Sequence, residues 1–221
     1  MRLVLRGQSS KSMSVDRWSY ERRYWDEGLR CVAGVDEVGR GPLAGPVVAV
    51  AVILNPEFED PGVADSKTLT PAERLTLFPA IASQSLSWGV GLVAPAEIDR
   101  INILQATFLA MRRALDQLLV SPDAVLVDGK SHIPELQCPQ RAIVRGDSES
   151  ISIGAASILA KEIRDRIMEE YDVAYPGYGF ARHKGYATPE HHEALDNLGP
   201  SPIHRRSFAP VREWRQKTLE L

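Results

Sequence analysis

Gly34-Val35-Asp36-Glu37-Val38-Gly39-Arg40-Gly41, followed directly by Pro42, is the stretch around which this 221-residue chain is organised. A short apolar run, Cys31-Val32-Ala33, leads into two adjacent carboxylates, and glycines flank an arginine just after them. The run reads as a strand that stops at the motif. Glycine has no Cβ, so the backbone there can turn sharply and approach a ligand closely. A carboxylate pair attracts a cation, and an arginine beside glycine-rich amides attracts an anion such as phosphate. The competing reading is a surface turn with a salt-bridged acid pair, and the rest of the chain decides between the two.

Outward from this motif, strands alternate with helices. Val47 to Leu54 is a continuous apolar run bounded by Pro46 and Asn55-Pro56, the pattern of a strand covered on both faces. Leu86, Trp88, Val90 and Leu92 alternate with smaller residues and predict a third strand. Ala124 to Val127 and Arg141 to Val144 predict two more. Asp16 is placed to cap a short helix that ends at Gly28. Thr70-Pro71-Ala72-Glu73 is a capping box that starts another helix. Asn102 caps an amphipathic helix with the stripe Leu104, Phe108, Met111, Leu115, Leu118. A second long helix sets Ala155, Leu159, Ile163 and Ile167 on one side, with Lys161, Glu162, Arg164, Asp165 and Arg166 expected largely outside. Tyr175 to Tyr186 reads as a glycine-rich loop, and Thr188-Pro189 opens a last helix that ends near Gly199-Pro200. The fold class is a mixed α/β domain. Residues 1–14 read as a loose polar leader, and residues 15–221 as one domain whose substrate-binding portion starts at about 175.

Composition narrows the class. A net charge of −3 excludes a globally basic nucleic-acid binder, so any positive surface is local. No apolar run approaches the roughly 18 residues of a membrane span. The first residues lack a secretory core, and Cys31 and Cys138 form no metal-type pair. A cytoplasmic protein with reduced thiols is the expectation, a monomer by default and without membrane contact.

Three predicted strand ends carry an aspartate: Asp36, Asp128 before Gly129, and Asp147 after Gly146. Ligand sites of α/β sheets gather outside the carboxyl ends of strands. Successive strand residues point to opposite faces, so Asp36 and Glu37 share a site only if the strand twists or ends there. Taken singly, Asp147 can be a helix cap and Asp128 turn chemistry. Neither reading predicts three such acids together with Glu37. Four gathered carboxylates repel one another and require cations. Oxygen-only ligation suits Mg²⁺ or Mn²⁺, and two such ions roughly 3.5–4 Å apart serve phosphodiester hydrolysis. Gly146-Asp147-Ser148 resembles a serine-esterase start, but no later Asp-x-x-His follows. His191-His192 are neighbours and not a zinc pair at helical spacing.

Tyr178, Phe180, Arg182, His183, Lys184 and Tyr186 interleave rings with cations, and His204-Arg205-Arg206 adds a basic cluster. Phosphates attract the cations, and bases or sugars stack on rings. For any one of these residues, a solvated basic loop over packed tyrosines is the alternative.

The chain resembles bacterial ribonuclease HII. The resemblance is carried by Gly34 to Gly41, Asp65-Ser66-Lys67, Asn102-Ile103-Leu104-Gln105-Ala106, Val127-Asp128-Gly129, Gly146-Asp147 and Ala155 to Lys161. Tyr175 to Phe180, His183-Lys184-Gly185-Tyr186 and His204-Arg205 continue it, so that roughly residues 17 to 212 are covered. It implies an RNase H-like mixed sheet flanked by helices, with a helical C-terminal subdomain. It also implies endonucleolytic cleavage of RNA in RNA–DNA hybrids and at single ribonucleotides in duplex DNA, leaving 5′-phosphate and 3′-hydroxyl ends. Asp36, Glu37, Asp128 and Asp147 would then be the catalytic acids that hold two Mg²⁺ or Mn²⁺ ions. Gly39, Arg40 and Gly41 would read the ribose 2′-hydroxyl, and Tyr186 would stack on the neighbouring sugar. Lys67, His183 and Lys184 would contact phosphate. The sister family, ribonuclease HIII, has lysine at the Arg40 position and a long N-terminal domain. A non-catalytic junction binder on the same fold is a further alternative. Gln216 to Leu221 is a candidate sliding-clamp tail.

Overall fold

The computed structural model describes residues 16–219 apart from 64, 65 and 67, with side chains to 214. The leader 1–14, Asp65, Lys67 and the side chains of the tail from 216 onward lie outside the described residues.

Strands β1 (Val32–Val38), β2 (Val47–Leu54) and β3 (Ser85–Val93) form an antiparallel meander. Strands β4 (Ala124–Asp128) and β5 (Gln140–Ile143) add in parallel beyond β1, giving the order β3-β2-β1-β4-β5. The helices are α1 (Ser19–Asp26), α2 (Pro71–Gln84), α3 (Pro95–Ile101), α4 (Ile103–Asp116), α5 (Gly146–Glu149), α6 (Ile151–Ala174), α7 (Phe180–His183), α8 (Pro189–Leu198) and α9 (Ala209–Leu219). The mixed sheet with flanking helices and a helical C-terminal part is the fold class expected.

The central strand β2 is buried along its whole length, as its unbroken apolar run requires. Val47, Ala49, Ala51 and Ile53 pack with Phe108, Ala110, Met111 and Ala114 of α4. Val50, Val52 and Leu54 pack on the other face against Ile81 of α2 and Ile151, Ala155 and Leu159 of α6. Each such fully buried Val or Ile contributes about 1.5–3 kcal/mol by removal of apolar area from water. Main chain of Ala114 and Ala110 lies where a Cβ at Gly89 or Gly91 would stand, so the glycines of β3 let α4 press directly on the sheet. The buried face of β3 is therefore Ser87, Gly89, Gly91 and Val93, while Leu86 and Leu92 of the expected apolar face are exposed.

Other local expectations shift. β1 does not stop at the motif but runs through Asp36 and Glu37 to Val38, because each stays paired with β2. Asp16 is not the cap of α1; Trp18 is, and the Asp16 carboxylate accepts from its N–H. Leu104 is exposed and Leu118 lies beyond the end of α4. On α6, Glu162, Arg164 and Asp165 are buried rather than outside. The loop after Tyr175 contains α7, and α9 follows the helix read as the last. Among the described residues no helix is long and apolar enough to cross a membrane.

Candidate active site

The four acids rise from three neighbouring elements. Asp36 and Glu37 lie side by side on β1 and therefore point to opposite faces of it. Asp36 is 5% exposed and turns toward α6, where Ser157 hydrogen-bonds to it. Ser157 Oγ also bonds Ser66 Oγ at 2.8 Å, so the described part of the Asp65-Ser66-Lys67 motif is tied to Asp36 through one hydroxyl. Glu37 turns toward α4, into a cavity of about 370 Å³ that Arg40, Asp128 and Lys130 also line, with Phe108 and Met111 at its base. Asp128 ends β4, beside β1. Its Oδ1 accepts from Gly146 N at 2.7 Å, which fixes the start of α5 and so the helix that carries Asp147.

Electrostatics mark this cluster as incomplete by itself. Burial first, then the carboxylates of Glu37 and Asp128, hold Asp36 well above the ordinary carboxylate range. Burial likewise raises Glu37, and Arg40 partly offsets the shift from 3.2 Å. Such a set is stabilised by a cation that ligates oxygen. Among the described residues, no three His, Cys, Asp or Glu side chains stand close enough to cage a metal as they are. The donor set is all carboxylate, which fits hard divalent ions and not zinc.

Behind the acids, the Gly39-Arg40-Gly41 turn is shaped by two buried arginines: Arg164, expected on the outside of α6, and Arg205, read in the sequence as part of a substrate-side basic cluster. Arg205 donates to the carbonyls of Gly39, Arg40 and Gly45 at 2.5, 2.9 and 3.0 Å. Arg164 donates to those of Pro46, Ala44 and Lys184 at 3.0, 3.2 and 2.9 Å. In a trans peptide the N–H opposes the preceding carbonyl, so the amides of Arg40 and Gly41 face away from Arg205, on the exposed side of the turn. Gly39, at φ +91°, has no room for a Cβ against Arg164. Gly41 is different: a Cβ there would meet only the Tyr186 ring, at an ordinary 3.7 Å. Thus the structure brings Tyr186, 44% exposed, to the same turn.

The other substrate candidates separate. His183 is a core residue: Nε2 donates to the Tyr178 carbonyl at 2.8 Å and Nδ1 accepts from Gly185 N at 3.1 Å. Both nitrogens are engaged inside the protein, which removes His183 from direct phosphate contact. Tyr178 and Phe180 stack on each other in the C-terminal core and offer no face to a base. Lys184 pairs with Glu169 at 2.6 Å on the rim. Lys67 lies outside the described residues.

Also unread in the sequence is a buried chain of hydrogen bonds that ends on Tyr186. Ser201 N and Oγ bond Nδ1 of His204, whose Nε2 meets His191 Nε2 at 3.0 Å. His191 Nδ1 donates to the Tyr186 carbonyl at 2.8 Å. The one signal was the crowding of four histidines into the C-terminal quarter.

A sheet in this order, flanked by these helices, has the architecture of the ribonuclease H class. The family model described as Ribonuclease HII matches residues 33–211. Ribonuclease HII of Syntrophotalea carbinolica is 53% identical over 203 residues, covering 92% of this chain and 97% of that protein. Ribonuclease H2 of Pyrococcus horikoshii superposes with a TM-score of 0.73 at 30% identity, over 86% of this chain and 99% of that one. Ribonuclease HII of Archaeoglobus fulgidus, solved in complex with PCNA, gives 0.67 at 25% identity, over 81% and 95%. The chain belongs to the ribonuclease HII family and is an endoribonuclease.

Proposed function

We propose that the enzyme cuts RNA in RNA–DNA hybrids and at single ribonucleotides embedded in duplex DNA, leaving a 5′-phosphate and a 3′-hydroxyl. The observation that carries this reading is the adjacency of three parts: the buried acid Asp36, the Gly39-Arg40-Gly41 turn beside it, and the Tyr186 ring against Gly41. A ribonucleotide differs from a deoxynucleotide by one hydroxyl, which outward-facing main-chain amides can recognise at close range. Gly41 leaves that approach open. Tyr186 offers a flat surface to the next sugar. Arg164 and Arg205 put two buried positive charges under the turn, which favours an anionic backbone above it.

Asp36, Glu37, Asp128 and Asp147 would hold two divalent ions, Mg²⁺ or Mn²⁺, which supply water activation and neutralise charge on the leaving oxygen. The chain's own part is positional. Asp128 anchors α5 through Gly146, and Ser157 orients Asp36. Arg40, paired with Glu37 before substrate binds, is free to exchange that partner for phosphate. The reading includes a cytoplasmic location. The Archaeoglobus complex with PCNA supports a sliding-clamp contact, for which the C-terminal tail would be the candidate segment.

The deciding experiment compares cleavage of a duplex carrying one ribonucleotide with a duplex carrying a long RNA tract. Efficient cutting at the lone ribonucleotide, lost in Asp36→Asn with binding retained, is expected. Cutting confined to the tract would replace this reading with a ribonuclease HIII-like one, and binding without cleavage under either ion would overturn it.

A further inference from the structure

Helix α1 and Arg17 before it lie outside the residues that the family model matches, yet they grip the segment that carries Asp147. Arg17 Nη2 donates to the Asp147 carbonyl at 2.7 Å and reaches that of Ser150 at 3.4 Å. Its Nη1 donates to the carbonyl of Val63, in the loop that leads to Ser66. Ile151 N returns a bond to the Arg17 carbonyl at 3.0 Å. Glu21, fully buried, accepts from Ser150 Oγ at 2.6 Å and from Ser152 N at 3.1 Å.

These contacts are placed where α5 is weakest. A helix of four residues cannot bond its own last carbonyls, and Asp147 supplies one of them. Arg17 is its partner. Ser150 caps α6 through Ile153 N, and Glu21 accepts the proton of that same hydroxyl, so the rotor of the cap is fixed. A third observation is independent of both: Gly154 leaves the room, since a Cβ there would run into Arg17 Nη2 and stand 2.9 Å from the Asp147 carbonyl. Asp60, Glu21, Asp147 and Glu149 all lie near enough to act electrostatically on the guanidinium.

We infer that Arg17 and Glu21 are positioning residues of the active site, fixing the Asp147 peptide and hence the direction its carboxylate takes toward the other acids. The inference rests on the reading of Asp147 as a metal-binding acid. Because Arg17 also holds the Val63 carbonyl, it joins the Asp147 segment to the loop whose Ser66 bonds Ser157, and Ser157 bonds Asp36. The segment ahead of the catalytic motif, Arg17 with α1, therefore braces Asp147 and Asp36 from behind.

Arg17→Ala, Arg17→Lys and Gly154→Ala test this, each assayed well below its own unfolding temperature on a duplex with one ribonucleotide. Mn²⁺ binding to the free protein, followed by electron paramagnetic resonance, gives a readout without turnover. Arg17→Ala and Gly154→Ala are expected to lower kcat and weaken Mn²⁺ binding about tenfold, the usual effect of removing support behind a metal ligand, with KM within about twofold. Arg17→Lys should recover part of both. Wild-type kcat and Mn²⁺ affinity in the folded variants would overturn the proposal whatever their melting temperatures. If Arg17→Ala fails to fold, the Gly154→Ala protein, which keeps the arginine, is read by the same two numbers. Asp147→Asn separates the two failures. Full cleavage there overturns the reading of Asp147 itself, whereas an inactive Asp147→Asn beside unaltered Arg17 variants overturns the brace alone.

Discussion

The Arg205 guanidinium donates to the Arg40 carbonyl at 2.9 Å across 165 positions of sequence, and so sets which way the proposed ribonucleotide-reading turn faces. Its charge is buried and lies beside Arg164; burial first, then that neighbour, lower its pKa to about 9. Lysine has one short-range donor group where arginine has a planar fork, so it cannot serve three carbonyls at once. Arg205→Lys should lower kcat/KM on a lone ribonucleotide at least about tenfold, since small misplacement of a contact group is costly in rate. Kinetics at a temperature where the variant is folded by circular dichroism check this.

Gly39 and Gly41 should part company. Gly39→Ala forces a Cβ into Arg164 at a left-handed φ of +91° and should cost roughly 1–3 kcal/mol of stability. Gly41→Ala meets only the Tyr186 ring at 3.7 Å and should leave stability within about 0.5 kcal/mol. Its cleavage of a lone ribonucleotide should nevertheless fall, because the added methyl stands on the exposed side. Urea unfolding beside steady-state kinetics separates the two. Equal destabilisation of both proteins would contradict the assignment.

Asp36 is predicted to trade stability for activity. It is buried beside Glu37 and Asp128, and its raised pKa means that the charged form is disfavoured in the folded state. Asn keeps the shape and the oxygen that accepts from Glu37 N at 2.7 Å, but not the charge. Without metal, Asp36→Asn should be more stable than wild type, because the neutral amide escapes the burial and carboxylate repulsion that disfavour the charged form. With Mg²⁺ near a hundred times its dissociation constant, wild type should gain about 2.7 kcal/mol and overtake it. Thermal unfolding with and without Mg²⁺ reads both signs, and Asp36→Asn should cut nothing.

Asp147, set off by Arg145-Gly146, stood out in the sequence only by following a predicted strand, whereas Asp36, Glu37 and Asp128 stood out because each interrupts or ends an apolar run. β2 was legible for the same reason in reverse. What the sequence concealed was burial of charge. Arg164 sits among charged neighbours on α6 and reads as solvent-facing until carbonyls more than a hundred positions away come within reach. The apolar face of β3 misled because the packing surface under α4 is built from glycine, which carries no hydrophobic signal. His183 reads as a basic-loop residue, but with a neutral ring it bonds two main-chain groups. Periodicity reports which residues avoid water, not which polar groups find partners without it.

The histidine chain beneath Tyr186 predicts a pH dependence of stability whose sign the geometry fixes. Ser201 N–H points at Nδ1 of His204, so that ring carries its proton on Nε2 and gives it to His191 Nε2. His191 therefore carries its own on Nδ1, bonded to the Tyr186 carbonyl. Each ring is neutral, and a further proton would land against an existing donor. His183 stacks on His191 at 4.4 Å, Phe180 packs edge-on, and His192 adjoins, none of which rewards a positive charge there. Burial first, then neighbouring histidines (His183 and His192 for His191, His191 and His183 for His204), lower both pKa values to about 4 from an ordinary 6.5. Above about 6.5 neither state takes the protons and stability is unaffected. As pH falls from there toward 4, the unfolded chain binds them and the folded protein does not, so stability declines. The raised carboxylates Glu21, Asp36 and Glu37 act in the opposite direction, and the difference between two proteins isolates the histidines. Urea midpoints at pH 7.5 and pH 5 should fall more for wild type than for His204→Gln, whose side chain does not titrate. A wild-type midpoint that fell no more steeply than the variant's would mean that one of these rings already carries the charge in the folded protein.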